Sequence, residues 1–166
     1  MFKDTLTTII VIVIGAVTLF IFPTIKITED VDNATRVALQ DAVNTYTSEV
    51  ANEKELSIEK WEAFCQKVKS ISPSAEPGLY IQVMDDNVGK KSSFSSSAIF
   101  GENVYYTVQD EELLKQLYEN GVIKFGQGYI VTFEAEFDSQ NPLKNALMGL
   151  TGQGTSQTVR ATSECK

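Results

Sequence analysis

Two glutamates, Glu134 and Glu136, stand two positions apart in YIVTFEAEF and are the chain's best candidates for acid–base chemistry. A pair of carboxylates can hydrolyse a glycosidic bond when a cleft holds both against the substrate. Side chains two apart on a strand share one face, and here that face is opposite the strand's alternating apolar residues. The chain also has no histidine, which excludes Ser–His and Cys–His catalysis. We therefore expect two surface charges, no catalytic residue, no enzyme activity and no small-molecule substrate.

Metal and cofactor sites are not indicated either. Asp85, Asp86, Asn87 and Gly89 faintly resemble a calcium loop, but the alternating ligand spacing and terminal glutamate of such loops are missing. The segments GQGY and GLTGQG lack the lysine and the helix that a phosphate-binding loop requires. The sequence predicts no metal and no cofactor.

The two cysteines, Cys65 and Cys165, leave two interpretations open. Outside the cytoplasm they could form a disulfide that ties the last residues to an early helix, and closing a loop of about 100 residues would contribute roughly 4 to 5 kcal/mol. In the alternative, Cys65 is a buried thiol on an apolar helix face and Cys165 frays with the tail. Neither cysteine belongs to a CxxC motif.

The element that positions everything else is the uncharged stretch from Thr5 to Ile25, TLTTIIVIVIGAVTLFIFPTI. A helix of this length extends roughly 30 Å, the thickness of a bilayer's hydrocarbon core. The apolar region of a cleaved signal peptide is only about 7 to 15 residues long and ends in small residues, whereas this stretch ends in phenylalanine and proline. We predict an uncleaved anchor over residues 1–26, followed by one extracytoplasmic domain over 27–166.

Charge and flanking residues indicate the surroundings of that domain. The net charge is -8, so the basic surface needed for nucleic-acid binding is missing and nucleic acid is not an expected partner. Lys3 precedes the anchor, and Glu29, Asp30 and Asp32 follow it with only Lys26 nearby. We expect a single-pass protein of the cell membrane with its N-terminus inside and its head outside the cytoplasm.

Phe2, Gly15 and Pro23 have an informative spacing, because the glycine lies 13 and the proline 21 residues after the phenylalanine. In this spacing the chain resembles the type IV pilins and pseudopilins, which begin with phenylalanine or a similar residue and have a glycine and a kinking proline at those offsets. The family's glutamate falls at Leu6, and the nearest acid is Asp4. Only one residue precedes Phe2, so the resemblance implies either a chain already trimmed of its leader or a divergent member.

Helical periodicity continues beyond the anchor. One apolar stripe is predicted to run along a long amphipathic helix, and a polar break from Asn52 to Leu56 precedes a second helix with Ser57 as its N-cap. Trp61, the only tryptophan, is predicted to be a core residue of that second helix. The stripe of the first helix consists of Val31, Leu39 and Ala38, with Ala42, Val43, Tyr46 and Val50.

The rest of the chain predicts a small antiparallel sheet. Pro77-Gly78 is expected to turn the chain into a strand that begins at Leu79, and a second strand covers Val104 to Val108. A short helix begins after Asp110 and ends at Gly121. The strongest strand signal is Tyr129 to Phe137, and the last alternating stretch is TSQTVRATSEC. The fold class is therefore α+β, with a long N-terminal hydrophobic helix that continues into an amphipathic helix and a small antiparallel-sheet head.

Two long segments extend the resemblance over most of the chain. VALQDAVNTYTSEVANEKELSIEKWEAFCQKV, and the tail with its strong strand, PLKNALMGLTG and a final strand, resemble the small pilin-like proteins of tight-adherence (Tad) systems. Those proteins have an anchor helix, a helical neck and a small head that contains strands. The resemblance implies a pilin-like fold and a cell-surface filament or secretion apparatus as the setting.

The resemblance implies assembly through Phe2, Asp4, Gly15 and Pro23. Gly15 would permit close approach of neighbouring helices, Pro23 would bend the helix, and Asp4 would pair with the terminal amine of a neighbour. The expected partners are copies of itself or related pilins, the membrane and the assembly machinery. The alternative is a single-pass tether whose extracytoplasmic head binds a ligand or a partner protein.

Overall fold

The structure is a computed structural model that describes residues 2–85, 104–108, 110–141, 145–146, 150 and 156–166. Within these ranges, only the backbone is described for 2–4, 84–85, 104–106 and 110. The sequence also predicts a turn at DDNVGKK and an exposed loop at SSFSSSAIFGE. The turn lies outside the described residues from its second residue onward, as do the loop and most of LKNALMGL.

Helices and strands follow in the order α, α, β, α, β, β, α, β, β, β, with one π-turn between the first two helices. The helices are α1 (Phe2–Ala16), α2 (Phe22–Glu53), α3 (Ile58–Ile71) and α4 (Asp110–Asn120), and the π-turn covers Val17–Ile21. The strands are β1 (Glu55–Ser57), β2 (Glu76–Asp85), β3 (Val104–Val108), β4 (Val122–Lys124), β5 (Ile130–Asp138) and β6 (Ser156–Glu164). The predicted α+β class and the long N-terminal apolar helix are confirmed.

The main sheet has the strand order β3-β2-β5-β6, and β2 pairs antiparallel with both β3 and β5. Pro77-Gly78 lies inside β2, opposite Ala135 and Glu134, so the predicted turn at these residues is wrong. β3 pairs with β2 only from Ile81 onward. At Pro77, β2 therefore has a strand on one side only. A proline is tolerated there because its missing N–H can face the side that has no strand.

A second, two-stranded sheet pairs β1, which begins within the predicted polar break, with β4. Lys54 turns the chain out of α2 with a φ of 56°, the left-handed region that reverses a helix end. Its carbonyl accepts a hydrogen bond from the N–H of Phe125 at 2.8 Å. Leu56 opposite Ile123 is fully buried. Strands of three residues are too short for periodicity to reveal them, so the sequence did not predict this pair.

Contacts divide the chain into two compact units. The anchor unit comprises Met1–Val37 and Asp138–Gln157, and the sheet unit comprises Ala38–Phe137 and Thr158–Lys166. The predicted boundary after residue 26 separates the part of the chain inside the membrane from the part outside it. It stays a prediction, because the two compact units are defined by contacts within the chain.

In the anchor unit, the chain that follows β5 is tied to α2. The carboxylate of Asp32 accepts hydrogen bonds from the hydroxyl of Ser139 and, at 2.8 Å, from the backbone N–H of Gln140. The side-chain amide of Asn145 donates to the carbonyl of Ser139 at 2.9 Å. Ser139 is buried, and these bonds supply the partners that a buried hydroxyl and carbonyl need.

The sheet unit has one apolar core to which α2, α3 and the main sheet all contribute. Ser57 caps α3 as predicted, because its hydroxyl accepts the N–H of Lys60 at 3.3 Å. Gly121 ends α4 as predicted, with a φ of +79° and its N–H donated to the carbonyl of Leu117. Trp61 is a core residue, as predicted. The core includes Leu39, Val43, Val50, Ala51, Leu56, Trp61, Phe64, Val68, Leu79, Ile81, Leu117, Val131, Phe133, Ala135, Phe137 and Val159.

The predicted stripe of α2 is only partly buried. Leu39, Val43 and Val50 are inaccessible to solvent, whereas Val31 is 41% exposed and Ala38 is also exposed. The apolar stripe therefore extends beyond the residues that the core of the sheet unit covers.

Candidate assembly surface

Most of the large exposed apolar side chains that the structure describes lie on α1, the π-turn and the start of α2. One helix among the described residues, from Thr5 to Glu53, is long and apolar enough to cross a membrane, and none of its most apolar window is buried within the chain. This makes it a candidate single membrane span or signal sequence. The exposed large side chains are Leu6, Ile9, Ile10, Val11, Ile12, Val13, Ile14, Val17, Leu19, Phe20, Ile21 and Phe22.

Gly15 lies in α1 within this surface. A Cβ added to it would meet no atom within 4 Å beyond its own turn of the helix. Nothing inside the chain therefore requires glycine at this position, although glycine weakens a helix by about 1 kcal/mol relative to alanine. Space of this kind is where a second helix can approach the backbone closely.

The helix departs from regular α geometry in the π-turn, which ends two residues before Pro23. Proline has no N–H to donate to the carbonyl of Leu19, four residues earlier, and its ring crowds that carbonyl. A wider π-turn relieves this conflict without breaking the helix. Two threonine hydroxyls also donate to carbonyls of the preceding turn at 2.8 Å, Thr18 to Ile14 and Thr24 to Phe20.

Phe2 and Asp4 both lie in α1, at the start of the helix. Their side chains are outside what the structure describes, so the predicted pairing of Asp4 with a neighbour's amine stays a prediction. Gly15 and Pro23 lie on the same continuous helical segment as these two residues.

Cys65 and Cys165 are both free thiols, so the disulfide left open by the sequence is not formed. The alternative is also wrong in one respect, because Cys165 does not fray. Its side chain is inaccessible to solvent, its N–H donates to the carbonyl of Tyr129 and its carbonyl accepts the N–H of Gly128, both at 2.8 Å. The end of the chain is fixed to the strand β5 region by backbone hydrogen bonds instead of by a covalent bond.

Burial raises the pKa of the Cys65 thiol to about 11 and also raises the pKa of Cys165. We expect Cys65 to react with iodoacetamide at pH 8 about 100-fold more slowly than a free cysteine of pKa 9, because only the thiolate reacts. Labelling followed by mass spectrometry between pH 7 and 11 checks this, with urea-unfolded chain as the control. Because the thiol is held protonated in the folded chain, its contribution to stability is present below pH 9 and is lost as the pH rises towards 11. Equal labelling rates in folded and unfolded chain would contradict the burial of this thiol.

The carboxylate pair has different surroundings at its two members. Glu136 is exposed, whereas Glu134 is half-buried and accepts a hydrogen bond from the hydroxyl of Tyr80 at 2.8 Å. A guanidinium nitrogen of Arg160 lies 3.5 Å from the same oxygen of Glu134. The expectation of two plain surface charges is therefore wrong for Glu134, whose partners come from β2 and β6 and were not foreseeable from β5 alone.

An open cavity of about 420 Å³ lies between α4, the β2–β3 pair and β4. Ile81, Val108 and Phe125 give it apolar walls, and Glu112 and Lys124 place opposite charges at it. Such a concave surface with few polar groups is the type that small ligands or peptide side chains occupy. The sequence did not indicate this cavity, because its lining comes from β2, β3, α4, β4 and the residues that follow β4.

Two surfaces thus remain as candidates for function, the apolar helix and the cavity of the sheet unit. Within the described residues, no three Asp, Glu or Cys side chains come together in a way that could hold a metal ion. Comparison of the chain with protein-family models, with curated proteins and with solved structures finds no match in any of the three.

Proposed function

We propose that this chain is a structural subunit, a major or minor pilin or a pseudopilin, of a type IV or tight-adherence-like filament or secretion apparatus. Copies assemble through the N-terminal hydrophobic helix, in the cell membrane or in a filament drawn from it, with the sheet unit outside the cytoplasm. The assembly machinery acts on this helix. The spacing of Phe2, Gly15 and Pro23, which resembles that of pilins, supports this proposal.

The main support for the proposal is that one helical segment is both an exposed apolar surface and a part of the folded core. Its first half exposes every large apolar side chain from Leu6 to Phe22, and its later residues, including Leu39 and Val43, are core residues of the sheet unit. A simple lipid anchor needs only the first property. When the same helix is built into a folded unit, packing of anchors against one another also arranges the folded units, which is what a filament subunit requires.

Gly15 offers the sharpest test, because a side chain there meets nothing within its own chain. We expect Gly15→Leu to leave membrane retention and folding unchanged but to lower the yield of filaments by ~10-fold or more, since close helix approach needs a small residue. Gly15→Ala is the matched control and should retain most assembly. The measurement is the amount of this chain in the sheared-cell fraction, together with electron microscopy of that fraction. Wild-type filament yield from Gly15→Leu would refute assembly through this surface.

The second candidate is a single-pass tether that binds a ligand or a partner protein. The cavity lined by Ile81, Phe125 and Lys124 favours it, because filament assembly through the helix does not use this cavity. The same shearing experiment separates the two functions. A tether stays with the membranes in every variant, whereas a filament subunit leaves with the sheared material.

A further inference from the structure

A row of exposed apolar side chains continues along α2 beyond the predicted anchor. Ile27 is 63% and Val31 is 41% exposed, and Ala34 and Ala38 are exposed as well. We call these four residues the outer stripe. Their spacings of four, three and four residues are those of a heptad seam, in which each side chain fits between residues of a facing helix.

Among the described residues, the hydrogen bonds that join this part of α2 to the segment after β5 lie away from the outer stripe. Asp32, which accepts hydrogen bonds from Ser139 and Gln140, is displaced from Ile27 by about 140° around the helix at 100° per residue. Asn33 and Arg36 are exposed and lie on the far side from the stripe. The side of the helix opposite the stripe is therefore polar, and the one other large exposed apolar side chain described on this part of α2, Val37, flanks the stripe.

The outer stripe ends in polar residues on its C-terminal side and joins the apolar anchor on its N-terminal side. In the direction of the sheet unit, the next residues on the same face are Asp41 and Thr45, both exposed, so the apolar seam stops after Ala38. Towards the N-terminus it continues into the apolar surface that ends at Ile25. The stripe is roughly 17 Å long at 1.5 Å per residue, too short to form a stable helix pair alone, but it adds three turns to a contact that begins in the bilayer.

We propose that the outer stripe pairs with the outer stripe of a second copy of this chain, as a parallel and in-register coiled coil directly outside the membrane. The proposal rests on the proposed anchoring function, because anchors inserted in one bilayer hold α2 of both copies in the same direction and at the same height. Antiparallel and staggered partners are thereby excluded.

The charges beside the stripe fit a second copy. The flanking positions are Asp30 and Val37 on one side and Thr28 and Thr35 on the other. In a parallel pair, Asp30 lies across from Thr35 of the second copy, so a carboxylate faces a hydroxyl and no two like charges meet. Within its own chain, Asp30 lies 3.5 Å from the ammonium group of Lys26, which keeps one cation beside this acid in each copy.

Disulfide cross-linking of the full-length chain in liposomes of phosphatidylethanolamine and phosphatidylglycerol tests the proposal. Val31→Cys is compared with Asn33→Cys, which is exposed at nearly the same height but on the opposite side of α2, in a background with Cys65→Ala and Cys165→Ala. Iodine is the oxidant because it also enters the bilayer. We expect Val31→Cys to form at least ~10-fold more disulfide dimer than Asn33→Cys, because seam residues of a parallel pair lie within bonding distance. Ile27→Cys and Ala34→Cys should behave as Val31→Cys does, and Arg36→Cys as Asn33→Cys does.

Cross-linking at a second position, within the anchor, distinguishes failure of this proposal from failure of the proposed function. Val13→Cys reports contact between anchors. If Val13→Cys forms dimers while Val31→Cys only equals Asn33→Cys, the outer stripe is not an interface, although assembly through the anchor stands. If neither Val13→Cys nor Val31→Cys forms dimers, both proposals are overturned. Unfolding followed by Trp61 fluorescence confirms that each variant is folded before it is cross-linked.

Discussion

Replacement of Phe64 by alanine is expected to lower the free energy of unfolding of the sheet unit by about 3 to 5 kcal/mol, the loss that follows when a buried phenylalanine leaves a cavity. Phe64 is inaccessible to solvent and lies at the centre of an aromatic cluster. Its ring centroid is 4.8 Å from that of Phe133 and 5.4 Å from that of Tyr46, in both cases edge to face, and 5.8 Å from that of Trp61. These contacts join α2, α3 and β5, so one truncation weakens three elements together.

The measurement is urea unfolding of the full-length chain in detergent. Because Trp61 is the only tryptophan and lies beside Phe64, its fluorescence reports directly on this cluster. Tyr118→Ala on α4 is the control, since Tyr118 is 57% exposed and its loss should cost less than about 0.5 kcal/mol. A loss below about 1 kcal/mol for Phe64→Ala would show that the cluster is not the core of this unit.

Replacement of Val13 by arginine is expected to weaken insertion into the membrane by a free energy of similar size, without weakening the fold. An arginine near the middle of a spanning helix costs about 2.5 to 3.5 kcal/mol, so we expect Val13→Arg to reduce membrane retention on the order of 100-fold. Val13 is 55% exposed and is not part of the apolar core, so the change removes no core side chain.

Val37→Arg is the matched control, because Val37 is 65% exposed on the same helical segment but beyond the predicted span. Alkaline carbonate extraction of membranes, followed by detection of the chain in the pellet and the supernatant, compares the two variants. Both should remain folded by Trp61 fluorescence. Equal retention of Val13→Arg and Val37→Arg would mean that residues 5 to 25 do not span a bilayer.

Elements with a strong local signal were predictable from the sequence. The serine at the start of α3, the glycine after α4 and the alternating apolar residues of β5 each determine local backbone geometry through their own chemistry. Elements that depend on distant partners were not. β1 and β4 exist because Leu56 and Ile123 meet across the sheet unit, and the proline in β2 is tolerated only because β3 is short.

The candidate surface was predictable in position but not in shape. Absence of charge from Thr5 to Ile25 is visible in the sequence, and so is the proline whose ring must be accommodated. The π-turn is one of several ways in which a helix accommodates a proline, so its form was not predictable. The open space beside Gly15 and the exposure of Val31 depend on which faces the rest of the chain leaves uncovered. The same limit applies to Glu134, whose partners Tyr80 and Arg160 belong to neighbouring strands.

The state of the purified full-length chain when its detergent is removed tests the central claim most directly, because lipid and detergent are then no longer available to cover the helix. Light scattering follows the mass of the particles during detergent removal, and negative-stain electron microscopy records their form. If the exposed apolar helix is an assembly surface, wild-type chains join into filaments of uniform diameter, and Gly15→Leu chains do not. Chains that stay single in detergent and form only shapeless precipitate when it is removed would contradict this account.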